Sequence, residues 1–83
     1  MPTVFYWKGY RFYFFSLEDN EPVHIYVEKA EGSSKFWIEP AIVEEYSYGF
    51  SLSLQSQRKE IRKFIEQNKE QIKKTWNEHF KNS

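Results

Sequence analysis

The sequence predicts an α+β fold, in which an antiparallel sheet of four strands, or five, is followed by a C-terminal helical segment packed on one face. Strand-forming and aromatic residues dominate residues 1–53, Gly and Pro are absent after them, and an apolar stripe at helical spacing begins at Leu54. A chain of 83 residues is enough for one domain. We therefore expect a single domain over 1–83, with a sheet half at 1–53 and a helical half at 54–81.

The charge of the chain divides at the same place. Residues 1–53 carry four basic and eight acidic side chains, and residues 54–83 carry eight basic and four acidic ones. The net charge is zero and aromatic residues make up 20% of the chain, which excludes a typical disordered segment. Because the chain has no cysteine, a disulfide framework, a thiolate metal site and a cysteine nucleophile are also excluded.

The first two strands are predicted over residues 3–7 and 10–15, both of which are rich in aromatic side chains. Lys8 and Gly9 separate them, and a two-residue gap that contains Gly is typical of a β-hairpin. A polar loop is expected over residues 16–22. It ends at Pro22, which cannot donate to a ladder and so marks the edge of a strand.

The third and fourth strands are predicted from alternation. Residues 23–29 place three aliphatic side chains on the core face and three others on the opposite face: Val23, Ile25 and Val27 against His24, Tyr26 and Glu28. After a turn over residues 30–33, residues 35–39 resume the pattern with Phe36 and Ile38 inward. Residues 41–44 form either a short fifth strand or the start of a helical turn.

The helical segment is predicted by one apolar stripe with spacings of three, four and seven residues: Leu54, Ile61, Phe64, Ile65, Ile72, Trp76 and Phe80. A straight helix over 54–81 would be about 42 Å long, which overhangs a domain with a radius of gyration of about 12 Å. Asn68 interrupts the stripe, and Asn68-x-x-Gln71 fits a capping box. We expect a kink or break there.

A homodimer is the alternative to that break. If the helix is continuous, Ile72, Trp76 and Phe80 project beyond their own sheet. Exposing each of these side chains to water would forgo about 2 kcal/mol of favourable burial free energy. A second copy of the chain, related by a two-fold axis, is then the simplest way to bury them.

Several segments together carry a family resemblance: Gly9 before an aromatic strand, residues 19–27, residues 35–40, residues 48–50, and a final helix that ends near Trp76 and Phe80. The chain resembles the short bacterial proteins catalogued as domain of unknown function 4160, from about Val4 to Phe80. Members typically read Pro-Pro-His-x-His-Val in the third strand, where this chain has Val23 and Tyr26 in place of the second proline and the second histidine.

The resemblance implies no established activity. It implies a partner protein encoded nearby, because family members often lie beside another small protein in pairs that look like toxin–antitoxin modules. The first expected function is therefore a protein-interaction module, as one component of such a pair. The alternative is a small RNA-binding or ribonuclease-like toxin that uses the outward face of the sheet.

His24 is the first candidate for chemistry. A lone histidine exposed on a strand can act as a general acid or base near neutral pH. Tyr26 and either Arg11 or Lys35 would then supply the other groups that RNA cleavage needs. The alternative is a half-buried ring satisfied by Tyr26, Glu28 or a backbone group. Because spacing alone supplies no orienting partner, we favour the structural role and assign no catalytic residue.

No metal site or cofactor is expected. His24 and His79 are the two histidines of the chain, and they form neither a His-x-His nor an i,i+4 pair. The basic helix surface is interpreted as a solvated face, because four glutamates dilute its positive charge.

Aromatic and basic side chains share the outward sheet face: His24, Tyr26, Lys35 and Trp37, with Arg11 and either Tyr13 or Tyr6 depending on register. Such faces stack single-stranded bases, but the sheet half is net acidic, which opposes phosphate binding. Exposed aromatic patches more often mark protein contacts. A protein partner is therefore favoured over nucleic acid, with these contact residues: Tyr13, Trp37, Trp76 and Phe80.

The expected location is the cytoplasm, with no membrane association. The first residues, Met1 to Val4, lack the basic region and the cleavage site of a signal peptide. No apolar run approaches the roughly 20 residues that a membrane helix needs.

Overall fold

The computed structural model describes residues 3–15, 20–30, 32–49 and 54–80. These residues form a five-stranded antiparallel sheet followed by two helices, which confirms the α+β class and a fifth strand. The elements are β1 (Thr3–Trp7), β2 (Tyr10–Tyr13), β3 (His24–Lys29), β4 (Gly32–Trp37), β5 (Val43–Tyr48), α1 (Leu54–Gln67) and α2 (Lys69–Phe80).

The sheet is a meander, because its strand order β1-β2-β3-β4-β5 follows the chain. The predicted hairpin between β1 and β2 is confirmed. Trp7 pairs with Tyr10, and the two loop residues Lys8 and Gly9 have φ angles of 50° and 82°. Positive φ at both positions is the mark of a type I′ turn, whose twist matches that of the strands it joins.

Four of the described strands have limits that differ from those predicted. β2 ends at Tyr13 rather than residue 15, β3 begins at His24 rather than residue 23, and β4 covers Gly32–Trp37 rather than residues 35–39. Lys29 pairs with Gly32, so the turn is shorter than the expected 30–33. Ser33 and Ser34 are not among the residue types that favour strands, yet they enter the ladder because β3 and β5 pair with them on both sides.

The fifth strand covers Val43–Tyr48 instead of residues 41–44. Its pairing with β4 contains a bulge, because Lys35 pairs with Tyr46 whereas Phe36 pairs with Glu44. The extra residue, Glu45, resets the alternation of side chains. Glu44 therefore faces the helices, while Tyr46 and Tyr48 face the opposite side.

The core lies between the sheet and the helices. It contains the predicted inward side chains of β3 and β4 and four residues of the helical stripe: Val23, Ile25, Val27, Phe36, Ile38, Ile61, Ile65, Ile72 and Trp76. Phe64 is half-buried and stacks on Trp7, with ring centroids 4.2 Å apart. The side chain of Leu54 lies outside the described residues.

The helical segment is interrupted at Asn68, as predicted, but the prediction of a capping box there is wrong. Asn68 Nδ2 donates a hydrogen bond of 2.9 Å to the carbonyl of Phe64, and Gln71 donates to Thr75 instead of reaching back. The amide of Asn68 thus competes for a carbonyl of the preceding turn, which bends helices. Backbone hydrogen bonds still cross the junction, from Asn68 N to Phe64 O and from Ile72 N to Asn68 O, both 3.0 Å.

The far end of the helical segment is covered by its own chain. Ile72 is fully buried, Trp76 is 5% exposed, and Phe80 packs against the same core. The exposure of Ile72, Trp76 and Phe80 that would call for a second copy is therefore absent, because α2 already buries these side chains on its own sheet, as expected for an interrupted helix. Dimerisation itself stays a prediction, which sedimentation of the wild type at tens of micromolar would check. None of the described helices is long and apolar enough to cross a membrane.

Candidate interaction surface

The sheet face that points away from the helices is called the outer face here. Cross-strand pairing places two rows of side chains on it: Tyr13, Tyr26, Lys35 and Tyr46 in one, and Arg11, Glu28, Ser33 and Tyr48 in the other. Tyr6 adjoins the second row through its pairing with Arg11. The outer face also carries Phe15 and, beside the start of β5, Trp37 and Val43.

The large exposed apolar side chains of the described residues are all on the outer face: Tyr6, Phe15, Val43, Tyr46 and Tyr48. Tyr6 and Tyr48 have exposed fractions of 77% and 61%. Tyr46 and Tyr48 stack with ring centroids 5.9 Å apart. Single exposed aromatics are ordinary, but a group of them on one sheet face is typical of a contact surface.

Below the exposed rings, two buried tyrosines, Tyr13 and Tyr26, pack against one another, and they are called the aromatic floor here. Tyr13 stacks on Tyr26 at 5.5 Å, and the edge of Phe15 meets the Tyr26 ring at 4.8 Å. Desolvation by burial, helped by the negative charge of Glu28, raises the pKa of Tyr13 above its ordinary value of 10.0. The Tyr13 hydroxyl is therefore neutral at physiological pH.

Among the described residues, the outer face carries two cations, Arg11 and Lys35, and both are engaged within the chain. Arg11 lies 4.5 Å from the Tyr13 ring and forms an ion pair of 3.2 Å with Glu28. Lys35 lies 4.4 Å from the Trp37 ring and 3.4 Å from a carboxylate oxygen of Glu21. Because carboxylates already neutralise both cations, this face is poorly suited to phosphate groups.

His24 is fully buried, so its expected exposure is wrong. Its Nδ1–H donates a hydrogen bond of 2.8 Å to the carbonyl of Pro22. In the described part of the chain, the rings of Tyr26, Trp37 and Trp76 lie around it at centroid distances of 5.4, 5.3 and 4.9 Å. His24 therefore has a structural role, with a backbone carbonyl as its hydrogen-bond partner. This is the alternative favoured from the sequence.

Of the four candidates for RNA chemistry, Arg11, Tyr26 and Lys35 share the outer face, whereas His24 packs against Trp76 of α2, and two of the four are inaccessible. His24 is enclosed by aromatic rings, and Tyr26 is 7% exposed under Phe15 and Lys35. Arg11 is held by Glu28. A substrate as large as RNA cannot reach the imidazole or the phenol in this arrangement, which counts against the ribonuclease alternative.

The four predicted contact residues do not form one surface. Trp37 is half-buried on the outer face, and Tyr13 belongs to the floor beneath the exposed rings. Trp76 and Phe80 pack instead on Phe14 at the opposite side of the sheet, at 5.0 and 5.6 Å. They stabilise the fold there.

The tyrosines of β5 are not among the contact residues predicted from the sequence. Tyr46 and Tyr48 stand two residues apart, which is the spacing that places side chains on one face of a strand. That signal was present, but the fifth strand was placed too early in the chain. The bulge at Glu45 also hides the alternation that precedes it.

Among the described residues, no group of three or more histidine or carboxylate side chains is placed to hold a metal ion. His79 lies against the Phe14 and Phe80 rings, at 5.3 and 4.9 Å.

Beneath β5, a polar network fastens the sheet to α1. Arg58 donates two hydrogen bonds, of 3.0 and 2.8 Å, to one carboxylate oxygen of Glu44, and Ser47 donates to the other. Ser34 and Ser47 share a further hydrogen bond of 2.6 Å. Burial alone would raise the pKa of Glu44, but the hydrogen bonds from Arg58 and Ser47 outweigh it and hold the pKa below its ordinary value of 4.5.

The network predicts an acid-sensitive contribution to stability. A carboxyl whose pKa is lower in the folded state stabilises the fold above its unfolded pKa, and this contribution is lost as the pH falls through the folded pKa. We therefore expect the wild type to lose stability below pH 4.5, and Glu44→Gln to be less stable at neutral pH with a shallower acid loss. Urea unfolding across this pH range measures both.

Glu66→Gln is the matched control for this measurement. Glu66 is an exposed carboxylate that pairs with Arg62 on α1, at 3.2 Å, and exposed pairs contribute little to stability. Its pH profile should follow the wild type. If Glu44→Gln also followed the wild-type profile, the network would not stabilise the junction of β5 and α1.

Comparison with known proteins places this architecture in a family. A family model described as "Domain of unknown function (DUF4160)" matches residues 9–77 of the 83-residue chain, a span from the β1–β2 turn to the last part of α2. No curated protein and no solved structure matches the chain. The match covers most of the sheet and nearly all of both helices, and the chain therefore belongs to the DUF4160 family.

Proposed function

We propose that this protein is a protein-interaction module that binds a partner protein through its outer face. The observation that carries the proposal is the clustering of exposed aromatic side chains on the one sheet face that the described helices leave open. Tyrosine, tryptophan and phenylalanine are enriched at the centres of protein interfaces, where charged residues are depleted. A sheet face is also rigid, so these rings lose little conformational freedom on binding.

The charges of the outer face favour a protein over a nucleic acid. Arg11 and Lys35 are each paired with a glutamate, and Glu39 and Glu45 lie near Trp37 at one end of the face. A nucleic-acid platform requires cations that are free to meet phosphates, and its affinity rises with their number. On the described surface the cations are already paired, and additional carboxylates lie beside them.

The finer proposal concerns the partner. We infer that it is the product of a neighbouring gene and that the two form a toxin–antitoxin-like pair. Support comes from the family resemblance, since the proteins of this family often stand beside another small protein in such pairs. This chain would act by binding its partner, because the buried His24 provides no accessible acid or base.

Co-expression with the neighbouring gene tests the proposal. We expect the two proteins to co-purify, and Tyr46→Ser with Tyr48→Ser to weaken the complex by roughly a hundredfold, because central aromatic contacts dominate interface energies. Titration calorimetry of the purified pair measures the change. Both tyrosines are exposed in the free chain, so the double variant should keep the melting temperature of the wild type.

Lys74→Ser with Glu78→Ser is the matched control, since both residues are exposed on α2. This variant should bind as the wild type does. Failure to form a complex at micromolar concentration would overturn the interaction with that partner. Equal affinity of the tyrosine variant and the wild type would instead overturn the assignment of the outer face.

A further inference from the structure

One end of the outer face contains a shallow hollow, called the Trp37 hollow here. Its lining is mostly apolar, with two carboxylate residues among its walls: Pro22, Trp37, Pro40, Ala41 and Val43, with Glu39 and Glu45. The hollow lies where β4 ends and β5 begins, because Trp37 pairs with Val43 across these strands.

The tryptophan of this hollow is held in place. Its indole N–H donates a hydrogen bond of 2.6 Å to Glu45 Oε2, and the His24 ring meets it edge-on at 5.3 Å. His24 is itself fixed by its hydrogen bond to the Pro22 carbonyl. The hollow is thus built from side chains that are already ordered before any partner binds, which lowers the entropic cost of binding.

The carboxylates of the hollow are not neutralised by the described part of the chain. Glu21 and Glu28 each have a basic partner on the outer face, whereas Glu39 and Glu45 form no ion pair with a described residue. Two negative charges beside an apolar, aromatic wall attract a cation that also has apolar surface to bury.

We propose that the Trp37 hollow receives a basic side chain of the partner, and an arginine in preference to a lysine. This inference rests on the proposed function, and it names the chemistry of the contact. A guanidinium group is planar, stacks on tryptophan, and presents a fork of donors that two carboxylates can accept together. Its aliphatic stem would lie on Pro22, Pro40 and Val43.

The molecule already shows that this ring accepts a cation. Lys35 places its ammonium group 4.4 Å from the centroid of Trp37 and keeps Glu21 as its counter-ion. Beside the same ring the hollow holds two further carboxylates, Glu39 and Glu45, which no described cation neutralises, since Lys35 is paired with Glu21. A basic residue of the partner supplies their counter-charge.

A displayed library of random twelve-residue peptides tests the inference and does not require the partner itself. We expect selection on the wild type to enrich peptides with an arginine next to apolar residues. Binding of a selected peptide should be about tenfold weaker to the variant Glu39→Gln with Glu45→Gln, and similarly weaker when its arginine is replaced by the neutral analogue citrulline.

The matched control is Glu66→Gln with Glu78→Gln, which removes the same charge from the exposed surface of the helices and should bind the peptide as the wild type does. Enriched peptides without basic residues, or equal binding to the hollow variant, would overturn this inference while leaving the interaction module intact. Selection of no peptide would also overturn it, and the co-purification experiment would still decide the proposed function.

Discussion

Trp76→Ala is expected to unfold most of the protein in the absence of denaturant. Trp76 is 5% exposed and contacts three other rings, those of Phe14, His24 and Phe80, at 5.0, 4.9 and 4.6 Å. Removal of a buried tryptophan costs about 3–5 kcal/mol. A single core in a domain of this size supplies a net stability of about the same magnitude. Far-UV circular dichroism with urea titration measures the loss.

Two variants of α2 make this result specific. Trp76→Phe retains an aromatic ring in the same place and should lose much less stability than Trp76→Ala. Lys74→Ala changes an exposed residue of the same helix and should stay within about 0.5 kcal/mol of the wild type. A Trp76→Ala protein with wild-type stability would show that α2 does not pack on the sheet in solution.

His24→Ala should destabilise the fold by about 2–4 kcal/mol. The substitution leaves a cavity among Tyr26, Trp37 and Trp76, and it leaves the Pro22 carbonyl without its donor. His24→Asn separates these two effects, because a side-chain amide can donate from the position of Nδ1. We expect it to recover about 1 kcal/mol relative to alanine. Urea unfolding measures both variants.

The same pair of variants distinguishes a structural histidine from a catalytic one. If His24 is structural, any effect on partner binding should follow the fraction of folded protein, and His24→Asn should be the milder variant. If His24 is catalytic, both variants should lose activity even under conditions in which both are folded. Growth arrest caused by the wild type and abolished by a folded His24→Asn protein would contradict the structural role.

Much of the fold could be predicted from local patterns. The hairpin at Lys8 and Gly9 follows from a two-residue gap, the inward side chains of β3 follow from alternation, and the helical stripe follows from its period. The interruption at Asn68 was predicted from a polar residue on that stripe. The hydrogen-bond partner of Asn68 could not be predicted in this way, because its side chain can bond to the backbone of the preceding turn as well as to that of the following turn.

The candidate site was predicted less well than the fold. The outer face was identified through Tyr26, Lys35 and Trp37, which alternation places together. Tyr46 and Tyr48 were missed, because the position of β5 depends on a bulge that compensates for one extra residue. Nothing local to the strand signals that bulge, since it arises from the pairing of β5 with β4.

The sequence by itself determined the class of the fold, the hairpin, the faces of β3 and the place where the helical segment is interrupted. Each depends on residues that are neighbours in the chain, so the turn residues and the periods of two and of 3.6 carry the information. The tertiary structure alone decided that Trp76 packs against His24 and that β5 presents its tyrosines on the outer face. These outcomes depend on contacts between segments far apart in the chain, where packing and pairing override local preference.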